Sequence, residues 1–171
     1  MADATELIRR YCKKGEEQAF NIFYRQNADK LWRFLVARGA DPDSAYDLLA
    51  EAFTRFLKTI CKRPDAPVAL LYRIAINLQI DSYRHNSVLS IETSTELAER
   101  SPNNNSGIED DLMAVRRAMK NLYSDEQNLL LMRYWIGMTH REIAEVMEIP
   151  EGTIRRQAAA ALKKLKGIFS E

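Results

Sequence analysis

Cysteine is scarce in this chain. Only Cys12 and Cys61 occur, far apart and with no His or Cys at metal-ligand spacing. Neither a zinc site nor a disulfide framework is indicated, and buried or idle thiols are the expectation. Histidine is as rare: His85 and His140 stand isolated, no glycine-rich phosphate loop exists, and no catalytic constellation forms. The chain therefore reads as a non-enzyme without a cofactor or metal. No apolar run approaches the roughly 18 residues that span a bilayer, and the start MADATELIRRYCKKGEE lacks the continuous apolar centre of a signal peptide. The expectation is a cytoplasmic protein without membrane insertion. Strand-like alternation is missing as well, so what remains is helix and linker.

Net charge is nearly absent, at +1 over 171 residues, but its distribution is uneven. Residues 1–86 carry 14 Lys/Arg against 11 Asp/Glu, residues 87–111 carry 1 against 6, and residues 112–171 carry 10 against 7. The stretch from Gly152 to Ser170 holds Arg155, Arg156, Lys163, Lys164 and Lys166 with no acid. A neutral total thus leaves room for a nucleic-acid partner.

What is present is helical periodicity. Thr5 to Lys14 places Leu7, Ile8 and Tyr11 on one side and ends at Gly15, suited to a helix C-terminal cap. Glu16 to Arg38 repeats apolar residues at three and four, which fits one long helix or two abutting ones near Asn27 to Asp29, stopped by Gly39. Asp41 caps the next helix, with Pro42 in its first turn, and the helix runs to Ile60. Its apolar side gathers Ala45, Leu49, Ala52, Phe53, Phe56 and Leu57, with Tyr46 at the edge. On the opposite side Asp43, Asp47, Glu51, Thr54 and Lys58 fall within roughly a quarter turn. Taken alone, this acidic stripe has the form of a solvated helix face. The segment CKRPDAPV breaks the helix, and Ala69 to His85 resumes it.

After His85 the chain turns to Ser, Thr, Asn and acids, too polar to pack. The sequence thus predicts an all-α protein of two small helical domains, residues 1–86 and 109–171, joined by a flexible acidic linker over 87–108. In the second domain, Ser124 with Gln127 reads as a capping box for a helix to Trp135, closed by Gly137. Thr139 with Glu142 is another, for Arg141 to Met147. A short turn, Glu148 to Pro150, leads into a last basic helix from Glu151 to about Phe169. Two helices across a tight turn, the second basic, outline a helix-turn-helix. Ile143, Ala144, Met147, Ile149 and Ile154 supply its contact core. Thr153, Arg155, Arg156 and Ala159 point outward near the N-terminal end, with Lys163 further along. Arginine pairs with guanine edges through two bonds, so Arg155 and Arg156 are the candidates for base reading, and the lysines for phosphate contact.

Four blocks then carry a family resemblance: AFNIFYRQNADKLWRFL, DSAYDLLAEAF, LLYRIAINLQIDSYRH and LYSDEQNLLLMRYWIGMTHREIAEVMEIPEGTIRRQ. In this order they resemble the small bacterial sigma factors of the extracytoplasmic-function (ECF) group of the sigma-70 family, over nearly the whole chain. The resemblance implies that residues 1–86 form region 2 and residues 109–171 region 4. It implies core RNA polymerase as a partner through Asp43, Asp47 and Glu51, and promoter DNA as a second. The loop Cys61 to Val68 and the helix bearing Arg73, Asn77, Asp81 and Arg84 match the part that opens the minus-ten element and captures a flipped base. Thr153, Arg155, Arg156, Ala159 and Lys163 fall on the reader of the minus-thirty-five element. An anti-sigma factor is the usual controlling partner of the group.

The departures are equally specific. Tyr46 stands where the family usually has glutamate, Ala50 where it has glutamine, and Glu148 where glycine is common. The core-binding face is therefore short of acid. Thr54 lies on the same stripe one turn beyond Glu51, and phosphorylation there would add about −1.5 to −2 charge. This makes Thr54 the candidate phosphorylation site, Thr59 a second one off the stripe, and a Ser/Thr kinase a candidate partner. Two rivals stand beside the sigma reading: an independent helix-turn-helix regulator, and a protein that occupies the polymerase without initiating transcription.

Overall fold

A computed structural model describes residues 3–90, 114 and 116–169. Among these residues every regular element is a helix. Helix α1 (Ala4–Lys14) ends on Gly15, whose φ of 64° lets its N–H reach the Tyr11 carbonyl at 3.0 Å. The ambiguous stretch that follows is one helix, α2 (Glu17–Ala37). The side-chain amide of buried Asn27 bonds the Phe23 carbonyl at 2.9 Å, so the polar patch near Asn27 does not interrupt it. Helix α3 (Pro42–Thr59) starts as expected, with the Ser44 N–H donating to Asp41 Oδ1 at 2.9 Å. A short 3₁₀ turn (Ile60–Lys62) leads to α4 (Pro67–Ser90), which runs past the expected end at His85. The remainder of the predicted linker, 91–108, lies outside the described residues.

The second half opens with a helical turn at 116–119 and continues with α5 (Ser124–Leu130), whose last turns widen into a π-helix (Leu131–Ile136) before Gly137. Helices α6 (His140–Met147) and α7 (Glu151–Phe169) complete the chain. The capping box expected from Ser124 and Gln127 is corrected. Tyr123 precedes the helix, and its N–H bonds Glu126 Oε1 at 3.1 Å. Gln127 instead donates to the Met119 and Leu122 carbonyls, at 2.7 and 2.9 Å, and so closes the preceding turn. The second box forms as read: Glu142 N–H to Thr139 Oγ1 at 3.1 Å and Thr139 N–H to Glu142 Oε1 at 3.3 Å.

Phenylalanines build the centre of the first half. Phe23 of α2 stacks on Phe56 of α3 with ring centroids 5.2 Å apart, and Phe53 meets both edge-on. The core continues without a break into Leu129, Met132, Ile143, Val146 and Ile154, because α4 packs on α6 and α2 on the π-helix. At the α2 exit Gly39 has φ 113°, and a Cβ there would lie 2.3 Å from Tyr83 Oη. Only glycine lets the Tyr83 hydroxyl pass to donate to the Arg38 carbonyl at 2.9 Å.

The expectation for the thiols is overturned: Cys12 and Cys61 form a disulfide, and no cysteine is free. The sequence separation of 49 hid the pairing. Helices α2 and α3 run out and back, returning the end of α3 to the end of α1. Closing a loop of this length stabilises the fold by about 4 kcal/mol in the chain-entropy account.

Tyr72 is one of four side chains among the described residues with a buried polar atom that lacks a hydrogen-bond partner, the others being Arg33, Asn128 and Trp135. Its hydroxyl is enclosed with no hydrogen-bond partner among the described residues, and burial pushes its pKa well above the usual tyrosine range. Tyr72→Phe should therefore raise stability by about 1 kcal/mol at pH 7, read by urea unfolding. The folded chain keeps the Tyr72 proton where the unfolded chain releases it. The stability linked to that proton is present below about pH 10 and lost as pH rises above it, so the advantage of the variant should grow there.

Candidate functional site

Helix α3 spends its apolar face on the core, which forces its carboxylates outward. Asp43, Asp47, Glu51, Thr54 and Lys58 are all exposed. Glu51 pairs with Arg55 one turn on, at 2.9 Å, whereas Asp43 and Asp47 have no partner among the described residues. Thr54 and Thr59 both bond back into the helix, to the Ala50 carbonyl at 2.8 Å and the Arg55 carbonyl at 3.0 Å. Tyr46 is 59% exposed at the head of this face and rests on Trp32, 5.4 Å between ring centroids. The Trp32 indole N–H, donating to the Pro42 carbonyl at 3.2 Å, fixes that platform.

On α4, Arg73, Asn77, Asp81 and Arg84 follow one another along a single face. The structure brings Arg73 and Asn77 together in a cleft of about 290 Å³ whose far wall is made of Asp125, Asn128, Met147 and Glu148. Arg73 bonds Glu148 across it at 2.6 Å. The face read for DNA in the first half thus meets the helix-turn-helix of the second. Asp81 and Arg84 lie exposed.

The turn between α6 and α7 is built on Glu148, at φ 58° and ψ 42°, with its N–H on the Ala144 carbonyl. It occupies the left-handed conformation to which glycine, common at this position in the family, is suited. Ile143, Val146, Ile154 and Ala158 close the core of the unit. At the start of α7, Arg155, Arg156 and Ala159 are exposed and Thr153 half-buried, with Lys163 exposed two turns on. Arg155 is held by Glu151 at 2.9 Å, and Arg156 bonds Thr153 Oγ1 at 3.3 Å. Lys164, among the lysines read for phosphate contact, has a partner within the chain. It pairs with Glu126 at 2.9 Å, holds that carboxyl below the usual range and lies over the Tyr123 ring, clamping α7 to α5.

Sequence reasoning missed a polar junction at the C-terminal end of α2. Buried Gln79 accepts from Arg38 at 2.5 Å and donates to the Leu35 carbonyl at 3.0 Å. Arg116, from the second half, donates to the Val36 and Ala40 carbonyls. Burial lowers the pKa of both arginines, that of Arg38 to about 10. The one available signal was that the last turn of α2 carries no basic residue to meet its open carbonyls.

These features define a helical protein in two parts, with a carboxylate-lined helix in the first and a helix-turn-helix in the second. Sigma-70 region 2 matches residues 23–88, and Sigma-70 region 4 matches residues 112–165. The chain is 32% identical over 167 residues to the ECF RNA polymerase sigma factor SigC of Mycobacterium tuberculosis, covering 93% of this chain and 88% of that protein. It is 29% identical over 174 residues to the ECF RNA polymerase sigma factor BldN of Streptomyces coelicolor, covering 97% of this chain but only 66% of the relative's length. The fold is shared with CnrH in complex with the cytosolic domain of CnrY (TM-score 0.76, 18% identity, 98% of each chain). It is shared also with RpoE in complex with the anti-sigma factor NepR from Bartonella quintana (TM-score 0.68, 17% identity, 88% of this chain and 96% of that one). The chain belongs to the ECF group of the sigma-70 family of RNA polymerase sigma factors.

Glu148 carries two opposed contributions that substitution separates. A left-handed non-glycine residue costs about 1 kcal/mol, and an exposed ion pair returns about 0–1 kcal/mol. Glu148→Gly should leave stability unchanged or raise it by up to about 1 kcal/mol, since glycine relieves the backbone. Glu148→Ala keeps the strain and loses Arg73, so it should be the less stable of the two in urea unfolding.

Proposed function

We propose that this chain directs core RNA polymerase to two-part promoters in the cytoplasm and contributes no catalysis of its own. Residues 1–86 and 109–171 serve as regions 2 and 4, joined by the acidic stretch 87–108. The observation that carries the reading is the exposed carboxylate face of α3 within a chain that matches both regions in order. Asp43, Asp47 and Glu51 dock on polymerase. Arg73, Asn77, Asp81 and Arg84 engage the minus-ten element, and a DNA strand reaching Arg73 and Asn77 displaces Glu148 from Arg73. Thr153, Arg155, Arg156, Ala159 and Lys163 engage the minus-thirty-five element. An anti-sigma factor that covers these faces is the fitting inhibitor.

The finer reading concerns control. Thr54 is exposed on the acidic face, beside positions where Tyr46 and Ala50 supply no acid. A Ser/Thr kinase that phosphorylates it breaks only the bond to the Ala50 carbonyl and adds the charge this face lacks. Thr59 is the weaker site, off the stripe.

Run-off transcription from a genomic library with core polymerase tests the main reading and yields the promoter. Transcripts that require both core and this chain support it. Duplex binding undiminished without core points to an independent regulator, and core binding without transcripts to a non-initiating occupant. On the promoter so found, Arg155→Ala and Arg156→Ala should each cost about 1–3 kcal/mol of discrimination in the minus-thirty-five element. Asp43→Asn with Asp47→Asn should weaken core binding, more so at low salt. For control, Thr54→Glu and phosphorylated protein should bind core more tightly than unmodified protein. Equal binding by Thr54→Ala and phosphorylated protein would refute the switch.

A further inference from the structure

The Cys12–Cys61 pair is the chemistry that promoter recognition leaves unused. Cys61 lies in the 3₁₀ turn of the connection between α3 and α4, and the stretch CKRPDAPV runs from there into the first turn of α4. That stretch is anchored at its ends by buried Ile60 and Pro67, while Cys61, Lys62, Arg63 and Asp65 are exposed. Two side-chain links tie this exposed part to α1. One is the disulfide, and the other is Arg9–Asp65 at 3.7 Å, with side chains 53% and 74% exposed. An ion pair so open to water holds little, so the sulfur bridge is the effective tether. A protein working on polymerase lives in a reducing compartment, where disulfides are transient and redox-sensing rather than permanent.

We infer that Cys12 and Cys61 form a reversible thiol–disulfide site, oxidised by small disulfides of the glutathione type, which sets the freedom of the connection 61–66. The inference rests on the sigma reading for its reducing compartment and for the link between that loop and the minus-ten element. Exposed Cys61 attacks first. Its thiolate displaces one thiolate from the small disulfide and forms a mixed disulfide. Half-buried Cys12, as thiolate, then attacks the Cys61 sulfur and expels the second. Two protein thiols lose two protons and two electrons, and one small disulfide becomes two thiols. A dithiol reverses the exchange. Lys13 and Lys14 follow Cys12, and exposed Lys62 and Arg63 follow Cys61, so basic residues near both sulfurs attract an anionic reactant. In the oxidised state the loop is ordered before DNA arrives, so capture of a flipped base no longer has to supply that ordering.

The full-length chain is equilibrated in glutathione buffers of graded ratio; one portion is quenched with acid and alkylated with a mass tag, and a second, unquenched portion is digested with trypsin while folded. Both thiols should disappear in one two-electron transition that dithiothreitol reverses. Cleavage after Lys62 should be at least tenfold slower in the oxidised form, whereas Cys12→Ser should cleave at the reduced rate in every buffer. Holoenzyme on the promoter from the transcription library should form about fivefold more open complex when oxidised, a difference absent in Cys12→Ser. Thiols that stay free at the most oxidising ratio, a bridge that dithiothreitol leaves intact in the folded chain, or equal cleavage in both forms overturns the site. Transcripts that are equal in both states overturn its link to promoter opening. No transcript in any state refutes the sigma reading instead, and loop protection then decides the thiol site.

Discussion

The burial of one aromatic face is the constraint from which the rest of the first half follows. Phe23 on α2 and Phe53 and Phe56 on α3 occupy the seam between those helices, and their transfer out of water outweighs any single polar contact in the region. Once α3 turns that face inward, its rotation about its own axis is set. Asp43, Asp47, Glu51 and Thr54 then have nowhere to point but solvent, and the proposed docking face needs no interactions of its own to hold it in place. The same out-and-back packing of α2 and α3 delivers Cys61 to Cys12.

A second constraint operates where the two halves meet, and it is polar. The end of α2 leaves carbonyls without helical partners. Tyr83 and Gln79 from α4 and Arg116 from the second half satisfy them. On the other side of the contact, Glu148 sits in a backbone conformation that favours glycine, while its carboxylate meets Arg73. That contact places an acid where the proposed function places a DNA strand. Under the proposed function, recognition by the first half is then conditional on where the second half sits, without any new element.

The proposed thiol site and the proposed phosphorylation act on different parts of the same half. One changes the freedom of the loop that leads into α4, the other the charge of α3. Both work through covalent chemistry on side chains outside the aromatic core, so neither requires that core to rearrange. A face built by rotation of a rigid helix is suited to control by charge. A short loop anchored at both ends is suited to control by a tether.

The sequence by itself determined the helices, their caps and the outward faces. Gly15, Asp41, Thr139 with Glu142, Gly137 and the left-handed Glu148 act through neighbours within a few residues, and the apolar periodicity of α3 assigns its stripe without reference to any other element. Only the tertiary structure decided the partners that are distant along the chain. Cys12 with Cys61, Arg116 at the end of α2, Arg73 with Glu148 and Lys164 with Glu126 each depend on how helices are stacked, and side-chain spacing along one helix holds no record of that. Gln127 shows the limit on a smaller scale. Its position suited a cap for its own helix, but the carbonyls left open by the turn before it were within reach, while the adjacent Glu126 could serve the N-terminus.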